Sequence, residues 1–138
     1  MKKNQRVALD VLTGLVGDID DLEVSSREMS GSFEMFDGLE GDFEIITNKK
    51  GRMKSIEMSM EYEYQEDEYI SVKLEWDDIK QKKFEKALRR GYDDVFEDSV
   101  RLLARQDIGG FIDEIESIPG AGDLEVWGYG NGQSISFN

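Results

Sequence analysis

Carboxylates are the side chains in this sequence most readily arranged to do something chemical. Glu57, Glu61 and Glu63 recur in a run whose alternate positions are Ile56, Met58, Met60, Tyr62 and Tyr64. Strict alternation of this kind marks a strand with one buried and one wet face. Residues two apart on such a strand project about 6.6 Å apart, at a rise of about 3.3 Å per residue. A second alternating run, Ile70, Val72, Leu74 and Trp76, sends Ser71, Lys73 and Glu75 outward and is expected beside the first. Rows of carboxylates at this spacing can imitate a phosphate backbone. The same rows can also serve only to solvate a sheet face and discourage edge pairing.

Other chemistry is restricted by composition. The chain has no histidine and no cysteine, which removes the usual general base near neutral pH, the strongest ready nucleophile, and all disulfides and thiolate metal sites. It also has no glycine-rich phosphate loop, no Gly-x-Ser-x-Gly elbow and no Ser-x-x-Lys pair. The run from Asp18 to Glu23 starts like a calcium loop, but Leu22 and Glu23 stand where an oxygen ligand and a glycine belong. Asp93, Asp94, Glu97 and Asp98 lie one helical turn apart, a spacing that can hold magnesium. They also suit the positive N-terminal end of a helix that follows Gly91. No catalytic residue, no metal site and no cofactor is assigned.

Two further groups invite a functional reading. Lys80, Lys82, Lys83, Lys86, Arg89 and Arg90 form a basic stretch that can bind phosphate or acidic groups, or can complement the protein's own acidic sheet or that of another copy. Trp127 and Tyr129 fall on the opposite side of their strand from Leu124 and Val126, where they can anchor an interface or fill a second core layer.

The elements that must position these groups follow from periodicity. Apolar residues from Val7 to Val16 recur at helical spacing, so residues 4–16 read as an amphipathic helix ended by Gly17. Asp18 to Asp21 reads as a turn. The phase of alternation shifts between Leu22–Val24 and Met29–Met35, which calls for a bulge near Ser25 and Ser26 or for two short strands. Phe36 to Gly41 reads as a turn, and Asn48 to Gly51 closes a hairpin between the strand of Phe43 and Ile45 and the strand of Glu57. Gln65 to Glu68 reads as the next turn. Residues 79–105 read as a long helix broken at Gly91, and 108–117 as a short helix capped by Asp107 and ended at Pro119–Gly122. Leu124 to Phe137 reads as a hairpin turning at Asn131–Gly132. The expectation is a single α+β domain over residues 1–138, in the order α-β-β-β-β-α-α-β-β: about four meander strands and a C-terminal hairpin, with helices against the sheet.

The charge is uneven along the chain. The net charge is −14, made up of +3 over residues 1–9, −14 over 10–78, +3 over 79–105 and −6 over 106–138. Such a field opposes direct nucleic-acid binding and favours basic partners. The N-terminal apolar run is too short and too amphipathic for a signal peptide or a membrane span, so a cytoplasmic protein without membrane contact is expected. In composition (compact, acidic, lacking histidine and cysteine) the chain resembles small inhibitors encoded by phages and mobile elements. That resemblance implies a non-enzymatic viral-type inhibitor, of the anti-CRISPR or anti-restriction kind, acting on a basic nucleic-acid-handling protein in a host cytoplasm. Glu57, Glu61, Glu63, Glu75, Trp127 and Tyr129 are the expected partner-binding residues. The alternatives are a homo-oligomeric structural or assembly protein, whose basic helix meets a neighbour's acidic sheet, and a metal-dependent enzyme using the acidic clusters.

Overall fold

The computed structural model describes residues 1–36, 39–65, 68–105, 107–120, 123–130 and 133–136, and within these the side chains of residues 36, 64–65, 68, 104, 108, 123, 127–130 and 133–136 are left undescribed. Helix α1 spans Lys3–Val16. Its buried Gln5, Ala8, Val11, Leu12, Leu15 and Val16 fall on one stripe, as a 3.6-residue period requires. Gly17 ends the helix at φ 83°, with its N–H donating to the Thr13 carbonyl.

Five strands follow: β1 Ile19–Val24, β2 Glu28–Phe36, β3 Leu39–Thr47, β4 Met53–Gln65 and β5 Glu68–Asp77. Then come α2 Gln81–Ala87, a π-helical turn Leu88–Tyr92, α3 Asp93–Ala104 and α4 Ile108–Glu116, and finally β6 Asp123–Gly130 and β7 Gln133–Ser136. All seven strands lie in one sheet in chain order, and each neighbour pairs antiparallel. The α+β class, the N-terminal helix, the broken long helix and the terminal hairpin are those read from the sequence. The hairpin extends the same sheet, because β6 pairs along β5 from Ile70↔Gly130 to Asp77↔Asp123.

Three local readings change. Residues 19–21 belong to β1 rather than a turn; the alternation of Leu22 and Val24 with charge marks only the second half of this almost wholly exposed strand. Of the two options for the phase shift, two strands are found. The bulge lies between Asp20 and Glu23, where Asp21 takes φ 53°, and not at Ser25–Ser26, which form the turn. Residues 39–41 are strand, because Leu39 and Gly41 pair with Tyr62 and Met60. Of the expected turns, Phe36, Gln65 and Glu68 are strand ends, while residues 37–38, 66–67 and 131–132 and the end of the Pro119–Gly122 segment lie outside the described residues.

One face of the sheet is buried. Met29, Phe33, Leu39, Phe43, Ile45, Ile56, Met58, Met60, Val72, Leu74 and Trp76 are all at most 3% exposed. Trp76 meets Phe84 of α2 edge-on at 5.8 Å and Phe96 of α3 at 6.1 Å, so these rings join sheet to helices. Phe96, Val100, Leu103, Phe111 and Ile115 complete the helical side at 0% exposure. Two inward glycines accommodate rings from the neighbouring strand. Gly31 pairs with Phe43, and Gly41 with Phe33. A methyl on Gly41 would sit 2.3 Å from the Ser59 carbonyl oxygen and 2.9 Å from the Phe33 ring.

Gly91 breaks the long helix at φ 104°. Asp93 and Asp94 then occupy the first turn of α3, where the helix dipole favours negative charge. Asp107 caps α4 by accepting the Gly110 N–H at 3.0 Å.

Gly41→Ala is expected to lower stability by about 1–3 kcal/mol through overpacking. Gly14→Ala, exposed within α1 and with nothing within 4 Å of the new methyl, should raise it by about 0.5–1 kcal/mol. Urea unfolding of the two variants checks the pair, and equal shifts would contradict the packing around Gly41.

Candidate functional site

The helices cover one sheet face, and the other carries the charge. Pairing carries the outward positions of β4 across the sheet in rows. Glu57 stands opposite Glu44 on β3 and Glu75 on β5, and Glu75 stands opposite Glu125 on β6. Four glutamates on four adjacent strands therefore form one lateral row, with neighbouring Cβ atoms about 4.5–5.5 Å apart. A second row runs Glu34, Glu40, Glu61. None of these side chains is buried. Between the rows, Lys73 reaches Glu57 with Nζ 2.8 Å from Oε1.

The sequence-expected Glu57, Glu61, Glu63 and Glu75 thus share one face, with Glu57 and Glu75 directly paired. The backbones of Trp127 and Tyr129 pair with Lys73 and Ser71, and their side chains lie outside the described residues. Glu44, Glu125, Glu34 and Glu40 join this face without having been singled out. The alternation of Glu40, Asp42 and Glu44 with Leu39, Phe43 and Ile45 carries that signal for β3. For Glu125 no signal exists before the β5–β6 register is known. Where Ser32, Ser59 and Ser71 thin the surface, the face dips into an open hollow of about 440 Å³ rimmed by Asp20, Glu34, Glu40, Asp42 and Glu61.

Hydrogen bonding, partial desolvation and neighbouring charge together raise two members of the row. The Glu44 carboxyl is raised above its ordinary value by its hydrogen bond with Glu28, by partial desolvation, and by the charges of Glu28 and Glu57. Glu75 is raised by partial desolvation and then by the charges of Asp77, Glu57 and Glu125. Both shifts favour the neutral form.

The basic stretch does not act as one face. Arg89 is paired with Glu85 one turn away, and Arg101 with Glu97. Arg89 also lines a separate hollow whose other charges are Asp10, Glu85 and Asp93. Lys80, Lys82 and Lys83 instead face the start of β4, where they line a groove of about 410 Å³ together with Arg52 and Lys54. Backbone bonds join its walls. Ile79 N–H donates to the Lys54 carbonyl, and Lys80 N–H to the Gly120 carbonyl. The Gln81 side-chain oxygen accepts from Met53 N–H at 2.6 Å.

The same end of the molecule gathers further bases. Lys2 Nζ donates to the carbonyls of Ser26 and Lys49, and Asn4 donates to Lys50. Buried Gln5 donates to the Ser25 carbonyl at 2.7 Å, which holds the α1 terminus against both turns. Among the described residues, no ion pair joins α2 to the acidic face.

Among the described residues, no three acids converge as a metal site, and no helix is long and apolar enough to cross a membrane. The run Asp18–Glu23 is largely strand β1 rather than a cation loop. No protein-family model, no curated protein and no solved structure matches the chain.

The raised carboxyls fix the sign of a pH dependence. Glu44 and Glu75 bind protons more tightly folded than unfolded, so they oppose folding above their folded pKa values. That opposition fades as pH falls toward 4.5, the ordinary value. The urea midpoint should rise between pH 7 and about pH 5, and at pH 7 it should rise with added salt, which screens the rows. The double variant Glu44→Gln, Glu75→Gln should flatten the pH dependence. A midpoint that falls steadily from pH 7 would contradict it.

Proposed function

We propose that this protein is a non-enzymatic binding module whose helix-free sheet face engages a basic protein partner, in its most concrete form the nucleic-acid-binding channel of a protein that the module inhibits. The observation that carries the reading is the lateral row Glu44, Glu57, Glu75 and Glu125. Like charges directly opposite one another across strands are destabilising. A sheet face that needed only to stay wet would alternate its signs or use threonine and serine. This one places glutamate against glutamate on successive strands, at a density that suits a polyanion.

The recognition would be electrostatic. Carboxylates about 5 Å apart across strands and about 6.6 Å apart along them present a stiff negative lattice. A groove built to grip phosphates with lysine and arginine can grip carboxylates by the same charge-assisted hydrogen bonds. Because the lattice is part of a paired sheet, little conformational freedom is lost on docking. The field of a −14 protein would speed encounter with a basic target and make it salt-dependent.

Affinity capture from a native lysate tests this, using wild type and the variant Glu57→Lys, Glu61→Lys, Glu75→Lys. These positions are not buried, so the variant should fold, which circular dichroism checks. A basic protein should be retained by wild type at low salt, released at high salt, and displaced by competing nucleic acid. Reversal should weaken its binding by roughly 100-fold or more, since like-charge juxtaposition costs several kcal/mol. Retention unchanged by the reversal would overturn the reading.

A further inference from the structure

We infer that the groove between the start of β4 and the start of α2 is a binding site for a small, multiply phosphorylated anion. This does not depend on the reading of the acidic face, since the groove contains none of its residues.

The charge in the groove is opposite to that of the protein. The chain carries 31 acids against 17 bases, yet the groove is lined by Arg52, Lys54, Lys80, Lys82 and Lys83, with no carboxylate. Asp77 and Asp78 precede it in the chain without lining it. All five cations are exposed, and none makes an ion pair among the described residues. Five such charges, drawn together from two segments and uncompensated among the described residues, suit an added anion.

The polar groups of the groove are donors as well. The Asn48 side-chain oxygen accepts from both Lys50 and Arg52 N–H, at 2.9 and 3.0 Å, and the Gln81 oxygen accepts from Met53 N–H. Each amide is therefore oriented by its oxygen, leaving its NH₂ group as a donor with no intramolecular partner among the described residues. The groove thus offers cations and N–H groups, and its carbonyl acceptors at Lys54 and at Asn48 and Gln81 are already engaged.

Size and surroundings select the ligand. A volume of about 410 Å³ is within the range of small-ligand sites and admits a chain of two or three phosphates. The apolar floor, Met53 and Ile79, is 2% and 8% exposed, so it offers a base or acyl group little contact. Recognition falls on the phosphates, whether they belong to inorganic polyphosphate or to the tail of a nucleotide.

Calorimetry of the full chain with tripolyphosphate, ATP and inorganic phosphate, at low and physiological salt, tests the site. Tripolyphosphate should bind with one site per chain, and inorganic phosphate at least about tenfold more weakly. ATP equal to tripolyphosphate assigns the site to bare polyphosphate; ATP tighter assigns it to a nucleotide. The variant Arg52→Gln, Lys54→Gln, Lys83→Gln should lose binding about 30-fold or more, while Lys86→Gln, outside the groove, should retain it. In amide NMR spectra the side-chain NH₂ signals of Asn48 and Gln81 should shift on titration. No heat at millimolar tripolyphosphate, or heat unchanged in the triple variant, overturns the proposal. So does tighter binding of a single-stranded oligonucleotide through the same residues, or low-salt self-association that the triple variant abolishes, since the occupant would then be a nucleic acid or a second copy.

Discussion

Everything in this molecule depends on the packing of Trp76 against Phe84 and Phe96. A seven-stranded meander exposes two broad faces, and a chain of this length has helices enough for one. Trp76 is central in that arrangement, because it lies on β5, between the long β4 and the returning β6. By fixing α2 and α3 to the apolar side of β5, the rings decide which face is core and which is wet. A side-chain period of two then forces every alternate residue of five adjacent strands to the opposite side. The Nε1–H of Trp76 is buried with no acceptor among the described residues. Leaving such a donor unpaired costs about 1–3 kcal/mol, so the ring is kept there for its packing.

The wet face is a consequence of the core, but its charge is not. Burying Ile56, Met58, Leu74 and Trp76 requires only that Glu57, Ser59, Lys73 and Glu75 be polar. Serine and threonine would satisfy that at no electrostatic cost, and alternating signs would even stabilise the sheet. The chain does this once, with Lys73 between Glu57 and the row beyond. In the two rows it sets glutamate opposite glutamate, and these charges add to the Glu28 hydrogen bond that raises Glu44 and the desolvation that raises Glu75. Stability is thus given up on one surface, which fits a surface whose purpose lies in an encounter.

How far this could be read beforehand follows the range of the interactions involved. The strand carrying Glu57, Glu61 and Glu63 was legible because alternation is local, and so were the break at Gly91 and the Asp107 cap. Strand β1 was legible only from Leu22, where alternation with charge begins; its first half was not, since three acids among the four residues from Asp18 to Asp21 mimic a turn. The lateral glutamate row was half legible. Sequence puts Glu57 and Glu75 on outward positions, but only register brings Glu44 and Glu125 into line with them, and register is set by turn geometry and packing. The basic groove was not legible as a site. Its members come from residues 52–54 and 80–83, and in the sequence the latter merge into a basic run that folding divides, with Arg89 going to Glu85 instead.

That division resolves the apparent contradiction of an acidic protein with a basic helix. If the bases of α2 faced the acidic rows, the two would neutralise, and neither surface could bind anything charged. The fold prevents this by placing α2 on the covered face and directing Lys80, Lys82 and Lys83 toward the end of the sheet, where Lys54 and Arg52 meet them. Lys54 and Glu57 are three residues apart on β4, about 10 Å along the strand. This is close to the Debye length of about 8 Å at physiological ionic strength. The two fields are therefore largely screened from each other under those conditions and coupled at low salt. A single rigid strand keeps two surfaces of opposite sign near enough to share one small domain and far enough apart to remain distinct.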